Sequence, residues 1–204
     1  VRAGRVQYDD ESVKVRIHVE EGPPVIVRRV DIHGVEALPA ELRKRVRKRV
    51  LATLEDGEPF QEENFALAQD ALLAELANDG YALARAQRAA DVDLPKSVAS
   101  VGYWVEPGPV CYIGEIRIEG LGAIPEAPVR RALDLTPGEI YSREDIEEAE
   151  LAVLGLGVFS SVNIEAVIPE GQAPATGNRV PLRVRLEPSK LPSVHLGGGL
   201  PGDT

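Results

Sequence analysis

Residues Gly108–Gly120 read GPVCYIGEIRIEG, and Gly22–Gly34 read GPPVIVRRVDIHG. Gly22 aligns with Gly108 and Gly34 with Gly120, an offset of 86 residues. Beyond the second glycine the match continues, with Val35, Leu38 and Pro39 answering Leu121, Ile124 and Pro125. Self-similarity at one long period is the mark of a tandem repeat, and it fixes the architecture before any local motif is considered. The chain of 204 residues is therefore read as two complete repeats, each of a size that can bury its own core.

The first repeat opens with an extended run. Ile26, Val30 and Ile32 are expected on one strand face, with Arg29, Asp31 and His33 on the other. Gly34 ends the strand by supplying turn or bulge geometry. Pro39 suits the first turn of a helix. Leu42, Val46, Val50 and Leu54 then recur at helical spacing, while Arg43, Lys44, Arg47 and Lys48 coat the outside. Asp56-Gly57 breaks that helix. A second helix carries Phe65, Ala68, Leu72 and Leu76 on one stripe and ends near Asn78-Asp79-Gly80. Two extended runs close the repeat, about Leu83–Val92 and Val98–Glu106, across the turn Leu94–Ser97.

The second repeat has the same order. Tyr112, Ile116 and Ile118 are expected to point inward. A short helix runs from Pro125 to Leu135, and Thr136-Pro137-Gly138 ends it. Ser142-Arg143-Glu144-Asp145 resembles a capping box at the start of the next helix, whose Ile146, Ala149 and Val153 face the core. Val162, Ile164, Ala166 and Ile168 alternate, as do Val180, Leu182, Val184 and Leu186, on either side of a Pro/Gly-rich loop from Pro169 to Asn178. Differences in helix length reduce the offset to 81 at Gly57/Gly138 and to 78 at Tyr81/Phe159.

The flanks are incomplete. Val13, Val15, Ile17 and Val19 alternate with Lys14, Arg16 and His18, the period of a half-buried strand. Arg2–Tyr8 is its expected hairpin partner. Residues 1–22 thus read as the closing hairpin of a preceding, truncated repeat, 23–108 and 109–190 as the two repeats, and 191–204 as a linker and the start of something further. Position 1 is not Met, and the sequence contains none, so the chain reads as a piece of a longer one.

Composition narrows the function. Net charge is −10, which argues against nucleic acid and against docking on anionic lipid through a basic face. Cys111 is the sole cysteine and reads as a small buried hydrophobe. His18, His33 and His195 are scattered over three units, and no metal-ligand spacing, nucleophile elbow or Walker loop is present. The acidic run Glu144–Glu150 spreads around a helix and lacks the spacing of a calcium loop. Gly197-Gly198-Gly199 lacks the residues that would cradle phosphate. No catalytic, cofactor or metal site is expected, and the chain is read as non-enzymatic.

Taken in order, these pieces resemble POTRA (polypeptide-transport-associated) repeats of the outer-membrane protein assembly family, the BamA/TamA-like proteins. The matching pieces are VDIHG and IRIEG; GYALARAQ and GVFSSVNIEAV; and the acidic-Gly-Pro linkers Glu20-Glu21-Gly22-Pro23 and Glu106-Pro107-Gly108-Pro109. The tail HLGGGLPGDT is similar to the first strand of the family's membrane barrel, with Leu200 in place of an aromatic and Pro201 additional. The resemblance implies an α+β fold of tandem β-α-α-β-β repeats, two helices on a three-stranded mixed sheet. It also implies a place on the periplasmic side of the bacterial outer membrane, next to the chain's own C-terminal β-barrel. Partners would be unfolded outer-membrane proteins or secreted chains, with accessory periplasmic or lipoprotein partners.

In that fold the penultimate strand lies at an edge, where unpaired N–H and C=O groups can accept a further strand whatever its sequence. The candidate edges are Leu83–Asp91, with Leu83, Arg85 and Gln87, and Ser161–Ile168, with Ser161, Val162, Asn163, Ile164 and Glu165. The second has the stronger β-formers and is the favoured template. Charges on either strand would equally protect an edge that binds nothing. Trp104, the only tryptophan, is expected on the sheet face away from the helices, as a partner anchor or as packing at a junction between repeats. The expected function is assembly, insertion or translocation of outer-membrane proteins. The alternatives are the arm of a two-partner-type secretion transporter and a structural docking spacer.

Overall fold

The first strand of each repeat does not keep simple alternation. In the computed structural model, which describes residues 3–9, 12–18, 22–168 and 177–189, β3 (Ile26–His33) shifts register between Val27 and Arg29 against its neighbour. The buried residues are Val27 and Val30, while Ile26 is only half-buried. The strand β6 (Tyr112–Glu119) shifts at the corresponding place, between Ile113 and Ile116. Ile113 and Ile116 are buried and Tyr112 is exposed. The expectations that Ile26 shares a face with Val30 and that Tyr112 points inward are thus corrected. The cause lies in the loop between the helices. Val27 N–H donates to the Glu58 carbonyl, and the Val27 carbonyl accepts from Gly57 N–H at 2.8 Å. Ile113 does the same with Glu139 and Gly138. Backbone groups satisfied by a loop are withdrawn from the ladder, which leaves a bulge.

The remaining elements follow the chain. Two short strands, β1 (Ala3–Asp9) and β2 (Ser12–His18), form the expected antiparallel hairpin. The helices α1 (Ala40–Thr53) and α2 (Glu62–Asn78) separate β3 from β4 (Arg85–Asp93) and β5 (Val98–Glu106). After β6 come α3 (Glu126–Leu133), α4 (Arg143–Leu154), β7 (Phe159–Ala166) and β8 (Arg179–Pro188). The α3 helix stops two residues before the expected Leu135, at Asp134, which adopts a left-handed φ of 48°. Ser142 caps α4 as its sequence suggests, accepting from Asp145 N–H at 3.1 Å.

Both sheets have three strands, in the orders β3-β5-β4 and β6-β8-β7. The last strand of each repeat is central. It runs parallel to the first strand and antiparallel to the penultimate one. This places β4 and β7 at margins, and each repeat is β-α-α-β-β with two helices over a mixed sheet.

The helix stripes read from the sequence are the core. Leu42, Val46, Val50, Phe65, Ala68, Leu72 and Leu76 are buried. On the strands Val101, Tyr103 and Val105 are buried too; the Tyr103 ring packs on Phe65 at 5.3 Å between centroids, and its hydroxyl donates to the Phe65 carbonyl at 3.0 Å. In the other repeat Val129, Leu133, Ile146, Ala149 and Val153 join Ile113, Leu182, Val184 and Leu186 in one cluster. Each fully buried Val or Leu contributes about 1.5–3 kcal/mol relative to exposure. By contacts the chain forms two units, and the segment Leu76–Ala84 clusters with the residues from Gly108 onward. The tail 191–204 and most of the Pro169–Asn178 loop lie outside the described residues.

Candidate functional site

Antiparallel strands alternate between residues whose N–H and C=O bond the neighbouring strand and residues whose groups point away from it. On β7 that alternation can be assigned. Val167 N–H donates to the Pro181 carbonyl, continuing the ladder with β8. Ile164 N–H instead donates to the Glu150 carboxylate, a residue of α4. From Ser161 onward, even-numbered residues therefore turn their backbone groups toward the margin, and odd-numbered ones toward β8. Val162, Ile164 and Ala166 hold the outward groups, while their side chains face the helices. Ser161, Asn163 and Glu165 lie on the opposite face, where Glu165 pairs with Arg185 of β8 at 3.0 Å. The five residues expected on this edge are thus together on one strand, with two of them supplying outward backbone and three supplying the solvent-facing side chains.

The β4 edge differs in two respects. It starts at Arg85, so Leu83 is not part of the strand. Leu83 sits in the preceding turn, where Ala84 N–H donates to the Tyr81 carbonyl, and its side chain packs against the apolar cluster of the second unit. That burial removes it from the edge and corrects the expectation. Arg85 and Gln87 are on the strand and exposed. Arg88 points to the helix side. Its guanidinium lies 5.3 Å from the Phe65 ring and bonds Gln69 and Glu62 at 3.0 and 3.2 Å. Gln69 in turn donates to the Ala86 carbonyl at 2.6 Å.

The opposite margins are partly occupied. Pro59 bridges Ile26 and Ile140 bridges Tyr112, so the inter-helix loop covers the start of β3 and of β6. Cys111 is buried, and burial pushes its thiol up, away from the thiolate a nucleophile requires.

Residues 111–189 match the family model described as "POTRA: Surface antigen variable number repeat". The match covers the second repeat and less than half of the chain. Over 203 residues the chain is 25% identical to "Outer membrane protein assembly factor BamA" of Neisseria meningitidis serogroup B (strain ATCC BAA-335 / MC58), covering 98% of this chain and 24% of that protein. It spans about a quarter of this relative's length. Among solved structures it is similar to Haemophilus influenzae BamA POTRA3-5, with a TM-score of 0.69 at 22% identity over 92% of this chain and 71% of that one. It is also similar to Haemophilus ducreyi BamA lacking POTRA domains 1-3, with a TM-score of 0.61 at 16% identity, over 82% of this chain and 30% of that one. The fold is that of tandem POTRA repeats.

On the β3-β5-β4 sheet, Trp104 lies on the face away from the helices, as expected, and is 47% exposed. It stacks on His33 with ring centroids 5.4 Å apart and an interplanar angle of 23°. Its indole also covers Gly102, where an added Cβ would fall 2.6 Å from the ring. Beside it is a hollow of about 280 Å³ lined in part by Asp31, Ala89, Asp91 and Ser100. The sequence reading missed His33 as the partner of Trp104. A strand register would have shown it, since β3 and β5 place the two opposite each other.

Proposed function

We propose that the chain is the periplasmic POTRA segment of an outer-membrane protein assembly, insertion or translocation factor. In this reading the two repeats, 23–108 and 109–190, follow the closing hairpin of an earlier one and lead through 191–204 into a membrane β-barrel. The repeats receive unfolded β-rich clients by strand addition and hold the barrel in position. Accessory periplasmic or lipoprotein partners would use the same repeats. No helix among the described residues is long and apolar enough to cross a membrane.

The observation that carries the mechanism is the β7 margin. Val162, Ile164 and Ala166 turn backbone groups outward from a strand with no neighbouring strand on that side among the described residues. An extended client can pair there through its main chain, and pockets for alternate side chains add selectivity. Ser161, Asn163 and Glu165 keep the outer face polar, which discourages uncontrolled edge pairing. Trp104 offers a second, aromatic contact on the other sheet.

A scan of β-strand peptides by amide chemical shifts tests the reading. Shifts centred on residues 161–166, with smaller ones on 85–91, are expected. Shifts that avoid both strands would remove strand addition as the mechanism.

A further inference from the structure

An added strand pairs with the outward backbone groups of an edge. In each repeat one such group is already engaged by a helix side chain, and from the same helix position. Gln69 and Glu150 are 81 residues apart, the offset that also relates Gly57 to Gly138, Ala68 to Ala149 and Leu72 to Val153. Gln69 donates to the Ala86 carbonyl at 2.6 Å. Glu150 accepts from Ile164 N–H.

The strand positions correspond as well. Val105 and Leu186 hold the carbonyls that Gly34 and Gly120 approach, so they are counterparts. Ala86 lies opposite Val105 and Val162 opposite Leu186. Ala86 is therefore the counterpart of Val162, and Arg88 of Ile164. The two contacts fall on adjacent outward groups of one slot, the carbonyl of one residue and the N–H two residues later. One helix side chain reaches the edge at corresponding positions in both repeats, once as donor and once as acceptor.

We propose that Gln69 and Glu150 are specificity residues of these edges: each fills the same outward backbone slot until an incoming strand replaces it. This rests on the strand-addition reading above and adds a condition to it. A weak or misregistered partner that cannot supply the lost hydrogen bond is excluded, and the idle edge keeps that group satisfied. The polarity is specific to each edge. On β7 a partner must bring a carbonyl to the Ile164 N–H. On β4 it must bring an N–H to the Ala86 carbonyl. Gln69 is itself held by Arg88, which is anchored on Glu62 and the Phe65 ring. Glu150 makes no other hydrogen bond or ion pair among the described residues.

The test uses the whole 204-residue chain, wild type and Glu150→Ala, with Glu150→Gln as the variant that keeps an acceptor. Amide hydrogen exchange is measured first, without ligand. Ile164 should exchange more slowly than Val162 in the wild type, lose that protection in E150A and retain part of it in E150Q. A synthetic peptide of the β5 sequence, Val98–Glu106, is then titrated and followed by amide shifts on β7. The expected result is about tenfold tighter binding to E150A, the scale of losing one competing charge-assisted hydrogen bond. Equal affinity for wild type and E150A would overturn the proposal while leaving strand addition intact. Binding to neither protein, with Ile164 protection still lost in E150A, would overturn strand addition and reduce Glu150 to a helix–strand contact. Gln69→Ala, followed at Ala86 and its neighbours, repeats the comparison on β4.

Discussion

Gly34 sits so close to Val105 that a Cβ on it would fall 1.9 Å from the Val105 carbonyl oxygen. Its φ of +84° is also a conformation L side chains rarely adopt. Gly120 repeats both features against Leu186, at 2.0 Å and +85°. The glycine that first revealed the repeat is thus the point where the first strand turns away across the central one. Gly34→Ala should lower the unfolding free energy of the first unit by about 2 kcal/mol or more, through strain and clash together. Trp104 is the sole tryptophan and belongs to that unit, so its emission during urea unfolding reads the effect. Gly120→Ala should leave the Trp104 transition in place and shift only the remaining circular-dichroism signal.

Glu75 and its two arginines should respond asymmetrically. Its carboxylate, with a side chain 9% exposed, accepts from Arg45 at 2.6 Å and Arg49 at 3.2 Å, whose side chains are 48% and 66% exposed. Removing Glu75 lets both arginines return to water, at a cost of about 1 kcal/mol. Removing both arginines strands a buried carboxylate, at a cost of about 3 kcal/mol. Urea midpoints of E75A and of the double variant R45A/R49A decide it. Equal midpoints would mean that the exposed arginines, rather than the buried acid, set the energy.

Ser142 is a single-residue test of the second unit. Its side chain satisfies the Asp145 N–H at the first turn of a helix of only 12 residues. Ser142→Ala should cost about 1 kcal/mol, and Ser142→Asp should recover most of it. The comparison is made on the transition that does not involve Trp104.

Alkaline pH should loosen the first unit. Burial holds the Tyr103 phenol well above its ordinary value of 10.0. The folded state therefore keeps a proton that the unfolded chain gives up. The stabilisation is fully present below pH 10.0 and is lost as pH rises toward the folded-state value. Trp104-detected stability should fall steadily above that pH. Tyr103→Phe should flatten the fall, while losing about 1 kcal/mol at neutral pH with the hydrogen bond to Phe65.

Most of the fold was legible because helical spacing survives tertiary packing. The stripe Leu42, Val46, Val50 and Leu54 and the stripe Phe65, Ala68, Leu72 and Leu76 are buried throughout. The faces of β3 and β6 were not legible, because alternation assumes that every residue joins the ladder. The loops at Gly57 and Gly138 withdraw one residue each. The trace in the sequence was faint: two adjacent apolar residues, Ile26-Val27 and Tyr112-Ile113, occur at the same offset in both repeats. The strand residues of the β7 edge were readable from alternation, but its occupancy by Glu150 was not. Nothing local distinguishes Gln69 or Glu150 from any polar residue on a helix flank. Only the overlay of two repeats sets them in the same place.

The strand order has a consequence for how such a chain comes into being. β5 and β8 are the last strands of their repeats and also the middle ones. While a polypeptide emerges from its N-terminus, each sheet exists as two separate outer strands until its closing segment arrives between them. A repeat cut short by ten residues loses its keystone and not its fringe. Vectorial emergence of the chain would therefore complete these repeats one at a time, each locking only when its final stretch has cleared the exit.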